Sequence, residues 1–161
     1  MGNPHVLTRR NVLAAAAFGS VGLAAACGDS EEERARASDD PVRTEMIADE
    51  QRLIDSYRAA IAAHPELESR LGPILIQHQA HALDLGGPPR PSGASDSPSS
   101  SWTTESAPAG AEQTVAMLRD AERRAAADRI AGCTRAGTAE LARLLSLIGA
   151  SEAQHVAELT S

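Results

Sequence analysis

The stretch LARLLSLIGASEAQHVAEL, residues 141–159, decides the fold. Stepping by three and four from Leu141 gives Leu145, Ile148, Glu152, His155 and Leu159, with Leu144 alongside. That spacing marks one face of a helix, so the segment is amphipathic and α-helical. Glu152 and His155 stand three residues apart on that face, where both side chains reach one point. They therefore occupy the buried register of the helix, among its leucines and isoleucine.

The rest of the composition agrees with helices. The chain has 161 residues and only one Phe, one Tyr and one Trp. It contains no lysine and is rich in Ala, Arg, Leu and Glu, which favours helix over strand. No stretch shows the Val/Ile/aromatic alternation of a strand. The net charge of −7 argues against nucleic acid as a partner, which needs a basic stripe.

Three further segments carry the same periodicity. Segment A, about 43–64, has the stripe Met46, Glu50, Leu53, Tyr57, Ile61, His64. His64-Pro65 ends it, because a residue before proline is pushed out of helical geometry. Segment B has Leu67, Leu71, Ile74, His78, His81, Leu85, with a kink or break expected at Gly72-Pro73. The short A–B junction makes these two helices antiparallel neighbours. Segment C, about 111–130, has Val115, Leu118, Glu122, Ala126, Ile130 and then Cys133. Glycines 132 and 137 permit a turn, and Thr138 is a natural N-cap for the quoted helix.

Residues 86–110, GGPPRPSGASDSPSSSWTTESAPAG, are rich in Pro, Gly and Ser and belong to neither helix nor strand. A connection of that length fits a crossover between two hairpins. The expected fold is all-α: a four-helix bundle over 44–161, built from two helical hairpins joined by the long crossover loop, with Trp102 available to pin that loop.

The N-terminus reads as an address. Arg9-Arg10 precedes the apolar run from Leu13 to Ala26, shorter than the roughly 20 residues that span a bilayer. It resembles a twin-arginine export signal over residues 1–26. Cys27 after Leu23-Ala24-Ala25-Ala26 stands where a bacterial lipobox has its cysteine, although Ala24 replaces the usual larger aliphatic residue. A lipid on Cys27 would anchor the domain to the outer face of the cytoplasmic membrane. The alternative is plain cleavage after Ala26, with Cys27 an ordinary thiol that could pair with Cys133. Residues 27–43, with Glu31-Glu32-Glu33 and Asp39-Asp40, read as a flexible acidic tether.

Each helix places acid or imidazole in its buried stripe: Glu50; His78 and His81; Glu122; Glu152 and His155. Buried carboxylates need a proton, a cation or a metal. With turns near 65 and 137, Glu50, His78, Glu122 and Glu152 lie about 13–15 residues from their turns, hence at nearly one height at about 1.5 Å rise per residue. All six are the candidate metal ligands.

This plan resembles the carboxylate-bridged di-iron bundles of the ferritin-like superfamily, which use one Glu from each of two helices and Glu-x-x-His from the other two. YRAAIAAHPEL, HQAHAL, AERRAA and GASEAQHVAEL are similar to a ferritin-like domain of unknown function in actinobacterial exported lipoproteins. The resemblance implies iron, mono- or dinuclear, with Fe(II) oxidation by dioxygen or peroxide as its chemistry. One departure is plain: the second Glu-x-x-His is here His78-Gln79-Ala80-His81, and His78 cannot bridge two metals as a carboxylate does. That admits a single ion, or zinc or copper, which imidazoles suit. In the competing account the acids pair with arginines such as Arg58, Arg119 and Arg123, and the bundle is a metal-free structural or interaction module. A homo-oligomer or an envelope protein is the partner expected in either account.

Overall fold

The computed structural model describes residues 25–88 and 110–161, with side chains from Ser30 onward. These residues form four helices: α1 (Ala25–Ala63), α2 (Glu68–Asp84), α3 (Ala111–Arg135) and α4 (Ala139–Glu158). A short 3-10 turn, Pro65–Leu67, joins α1 to α2. His64 sits at φ −135°, ψ 76°, outside helical geometry, as its place before Pro65 requires. α2 runs unbroken through Pro73, so the expected break there does not occur.

α3 and α4 are separate helices. Thr138 is the N-cap, and its hydroxyl accepts from the Leu141 N–H. Asp39 on α1 clamps the turn from outside. It accepts from Gly137 N at 2.7 Å, from Thr138 N at 3.3 Å and from the Thr138 hydroxyl. A Cβ on Gly137 would lie 2.5 Å from the Ala35 carbonyl oxygen, so only glycine lets the turn approach α1 this closely.

The clamp corrects the expected tether. α1 begins at Ala25, and Asp39 and Val42 are already buried against the bundle. The polar stretch before them is helix, continuous through Pro41, with an Arg36–Glu32 pair one turn apart. Once the packed turns of α1 exist, adding residues to the helix avoids a second nucleation cost, which is why composition alone misjudged this segment.

Cross-helix contacts fix the topology. Glu45 meets Arg135, Glu50 meets Arg129 and Tyr57 meets Glu122, so α1 and α3 run antiparallel. Arg70 bonds the Glu158 carbonyl and Gln77 meets Ser151, so α2 and α4 run antiparallel too. With α1–α2 and α3–α4 as hairpins, α2 and α3 must run parallel. The described chain therefore stops at Pro88 and resumes at Gly110 at opposite ends of the bundle, as such a topology requires. Residues 89–109, including Trp102, lie outside the described set, as do residues 1–24 and the Cys27 side chain. No helix among the described residues is long and apolar enough to cross a membrane.

The core has three layers. At one end Tyr57, Ala60, Leu71, Ile74, Val115, Leu118 and Leu159 pack together. At the other end Val42, Met46, Leu85, Leu141, Leu145 and Ile148 do the same. Each fully buried aliphatic side chain contributes about 1.5–3 kcal/mol, which offsets the cost of the polar layer held between them.

The register of α3 differs from expectation. Its buried positions are 114, 115, 118, 122, 125, 129 and 132, which from 115 onward alternate steps of three and four. That is a 3.5-residue period, the signature of helices wrapping in a left-handed sense. Fixed steps of four had drifted onto Ala126 and Ile130, and Ile130 is 68% exposed. The position gained by the true register is Arg129.

Candidate metal centre

The polar layer consists of Glu50, His78, Glu122, Arg129, Glu152 and His155, all essentially inaccessible to solvent. His81 lies at its edge, with its side chain 13% exposed. The six residues singled out by register thus meet in one layer. They divide around His78, the central imidazole. Its Nδ1 lies 2.9 Å from Glu50 Oε2 and its Nε2 lies 2.8 Å from Glu122 Oε1.

On the Glu122 side, three donors converge. His155 Nδ1 lies 3.3 Å from Glu122 Oε2, and the His78 and His155 ring centroids are 5.1 Å apart. The Tyr57 hydroxyl donates to Glu122 Oε1 at 2.5 Å. Behind His155, Gln77 Oε1 lies 3.0 Å from Nε2, and Ser151 Oγ donates to that same amide oxygen at 3.1 Å. Ligand atoms of His78, Glu122 and His155 all fall within 4.8 Å of one another, and so do those of Glu50, His78 and His81. Because both groups draw on His78, one ordinary imidazole cannot serve two metals through both sets at once.

On the Glu50 side the positive charge is a side chain. Arg129 Nη2 lies 3.0 Å from Glu50 Oε1 and 3.1 Å from Glu152 Oε1, and Nη1 lies 3.4 Å from Asp49 Oδ2. Nη1 also points at Met46 Sδ, 3.0 Å away. Glu152 is close to the guanidinium but out of line with its N–H bonds, and neither of its carboxylate oxygens has a hydrogen-bond partner. Gly149 makes the space: a Cβ there would sit 3.1 Å from Arg129 Cβ. None of the arginines expected to neutralise the acids, Arg58, Arg119 or Arg123, does so. Arg58 and Arg123 face Asp55 and Asp120 on their own helices. Arg129 was legible only through the three-four alternation of α3, since its residue type gave no hint of burial.

The electrostatics follow from these contacts. Burial disfavours charge on His78, but Glu122 and Glu50 outweigh it and raise its pKa to about 9. Burial would likewise raise Glu122, yet hydrogen bonds from His155, His78 and Tyr57 hold it at about 2. Glu152 goes the other way. Burial, with Glu50 and Glu122 nearby, outweighs the attraction of Arg129 and His78 and pushes it up to about 8. Burial lowers His81, reinforced by His78, His155 and Arg129 and opposed by Glu50. Burial and the Glu122 charge raise Tyr57, which stays a phenol and a donor. At neutral pH His78 is therefore charged, beside the Arg129 guanidinium, and Glu152 is neutral.

The donor chemistry fits a transition-metal ion on the Glu122 side. Two imidazoles and a carboxylate, all buried, are ligands that suit iron, zinc or copper. The orphaned oxygens of Glu152 and the orphaned His81 Nδ1 are further unsatisfied ligand atoms in the layer. The same donors do not fit a symmetric dinuclear centre. The place of the second cation is occupied by Arg129, and the carboxylate expected at position 78 is an imidazole. The chain matches no family model, and neither a curated protein nor a solved structure matches it.

Proposed function

We propose that this chain is a ferritin-like bundle that binds a single transition-metal ion through His78 Nε2, His155 Nδ1 and Glu122, with Arg129 standing in for a second metal. The observation that carries the reading is the facing of His155 Nδ1 and Glu122 Oε2 across 3.3 Å. The opposite ring nitrogen of His155 is turned to a carbonyl oxygen, Gln77 Oε1, which calls for the ring hydrogen there. Nδ1 and the ionised carboxylate face one space, where a hydrogen on Nδ1 serves the metal-free layer and a metal ion in its place would be ligated by both. Iron at this place would supply one-electron redox chemistry towards dioxygen or peroxide, and zinc would supply Lewis acidity. Tyr57 holds Glu122 in position by donating to its Oε1, and the apolar layers on either side keep bulk water away.

In the same proposal the chain is exported by its twin-arginine segment and anchored through a lipid on Cys27 to the outer face of the cytoplasmic membrane. The metal would then be handled at the cell envelope. Fe(II) oxidation is the activity that iron in this setting supports.

A second reading rests on Arg129. It neutralises Glu50 directly, and with His78 charged and Glu152 neutral the layer balances without metal. The bundle would then be a structural or interaction module. Metal analysis of the purified full chain after reconstitution decides between them. About one equivalent of metal, lost in His155→Ala, and a melting temperature lowered by chelator support the metal reading. Metal far below one equivalent and a chelator-insensitive melting temperature establish the metal-free module.

A further inference from the structure

We infer that the seam between α2 and α4 is the entrance to the polar layer, with His81 the first ligand offered to an incoming transition-metal ion and the Gln77–Ser151 pair its cover; this rests on the metal reading above. The three other seams between neighbouring helices are closed. α1 packs closely on α2, and α3 on α4. α3 meets α1 at Gly132, where an added Cβ would lie 3.4 Å from Met46 Sδ. The backbones of α2 and α4, by contrast, barely approach each other. Polar side chains bridge the space instead. Arg70 Nη2 donates to the Glu158 carbonyl at 2.9 Å. Gln77 Oε1 accepts from Ser151 Oγ at 3.1 Å and lies 3.0 Å from His155 Nε2. Apolar side chains close the bundle at both ends of the layer.

Along this seam the residues stand in order of exposure. Gln77 and His81 are one turn apart on α2, and Ser151 and His155 are one turn apart on α4, so each pair shares a helix face. Gln77 is exposed and Ser151 is half-buried. His81 comes next, with its side chain 13% exposed, whereas Glu50, His78, Glu122, Glu152 and His155 are at most 1% exposed. The His81 and His155 rings lie nearly parallel, their centroids 6.4 Å apart. Nδ1 of His81 is buried, has no hydrogen-bond partner and lies 3.6 Å from Glu50 Oε1. An imidazole with one edge at the solvent and an unused ligand atom inside is suited to take an ion from water. It is poorly placed to keep one, because Glu50 is already held by Arg129 and His78. The space between His155 Nδ1 and Glu122 lies deeper, behind the Gln77 amide. His81 therefore sets the rate of uptake, Gln77 with Ser151 restrains it, and the deeper ligands set affinity.

The test mixes the metal-free full chain with Zn(II) in stopped flow and reads the remaining free zinc with a fluorescent indicator. Association barriers are raised where binding needs a rearrangement, so uptake should be about tenfold slower in His81→Ala and about tenfold faster in Gln77→Ala than in the wild type. Final affinity in His81→Ala should stay within about twofold of the wild type, since a group met only on the way in alters rate and not equilibrium. Loss of Gln77 as an outer partner of His155 would by itself weaken binding about 10–100-fold through faster release, so faster uptake is the decisive reading for that variant. Far-UV circular dichroism and melting temperature check folding, and His81→Gln, which keeps a polar side chain at the edge, repeats the measurement if His81→Ala melts early. Uptake that is not faster in Gln77→Ala, or not slower in the His81 variants, overturns the inference, and a wild type that still binds about one equivalent leaves the metal reading standing. A wild type that takes up no zinc overturns the metal reading and the entrance with it.

Discussion

Arg129 Nη2 lies 3.1 Å from Glu152 Oε1, yet neither oxygen of Glu152 accepts a hydrogen bond. The guanidinium is spent on Glu50, 3.0 Å away, and Glu152 receives its field without its hydrogen. One carboxylate is thus matched by Arg129 and the other is left to hold a proton or meet a cation. That asymmetry separates this layer from one built for two equivalent metals, and most of the testable consequences follow from it.

Replacing Arg129 should be among the most damaging single changes in the protein. Arg129→Met strips Glu50 Oε1 of its guanidinium, leaving His78 as the cation beside Glu50, and removes the attraction that tempers Glu152. Breaking a buried pair by deleting one partner costs about 3–5 kcal/mol. Urea denaturation at neutral pH measures this. Adding Glu50→Gln should recover part of the loss, and a double variant no more stable than Arg129→Met would contradict the pairing.

Stability should depend on pH with a defined sign. Glu152 and His78 have folded-state pKa values raised to about 8 and about 9, above their ordinary values of 4.5 and 6.5. The folded state therefore holds protons that the unfolded chain releases, and stability falls as pH rises from about 4.5 through 9. Glu122, lowered to about 2, acts oppositely: its contribution is present above 4.5 and is lost as pH falls towards 2. Metal-free protein should thus be most stable in mildly acidic solution. Glu152→Gln should flatten the fall between about 4.5 and 8, which thermal melts across pH will show.

Metal should reverse part of that trend. Ligation through His78 requires loss of its Nε2 proton, so affinity rises with pH over the range where the metal-free bundle weakens. At a free metal concentration one hundred times Kd the stabilisation is about 2.7 kcal/mol. His155→Ala and Glu122→Ala should abolish the shift in melting temperature, whereas His81→Ala should leave it nearly intact. A shift lost in His81→Ala and kept in His155→Ala would place the ion with Glu50 instead.

Tyr57→Phe deletes the hydroxyl that donates to Glu122 at 2.5 Å and changes little else in the apolar layer. A hydrogen bond to a charged group contributes about 1.5–3 kcal/mol. Denaturation should show a loss of that order, and the acid limb of the stability curve should move to higher pH as Glu122 becomes easier to protonate.

Two glycine substitutions make a matched pair. A Cβ on Gly72 meets nothing within 4 Å, whereas one on Gly149 meets Arg129 Cβ at 3.1 Å. Gly72→Ala should stabilise by up to about 1 kcal/mol through helix propensity. Gly149→Ala should destabilise by about 1–3 kcal/mol, because Arg129 is held by Glu50 and cannot retreat. Melting temperatures of the two variants should move in opposite directions.

By itself the sequence determined the all-α bundle, the α3–α4 turn at Thr138, the antiparallel first hairpin and the layer that holds Glu50, His78, Glu122, Glu152 and His155. Those follow from local rules: apolar spacing, a proline, a capping hydroxyl and equal distances from two turns. The tertiary structure decided what local rules cannot carry. The packing of the segment around Asp39 into the bundle rests on its reaching the α3–α4 turn, a contact between residues almost one hundred positions apart. Arg129 entered the core because neighbouring helices wrap around one another and shift the register of α3, while Gly149 on α4 left room for its stem. His155 is met from the surface by Gln77, an exposed residue on another helix, whose Oε1 lies 3.0 Å from Nε2. Periodicity says which side chains point inward, but which charges meet there depends on the packing of helices far apart in the chain.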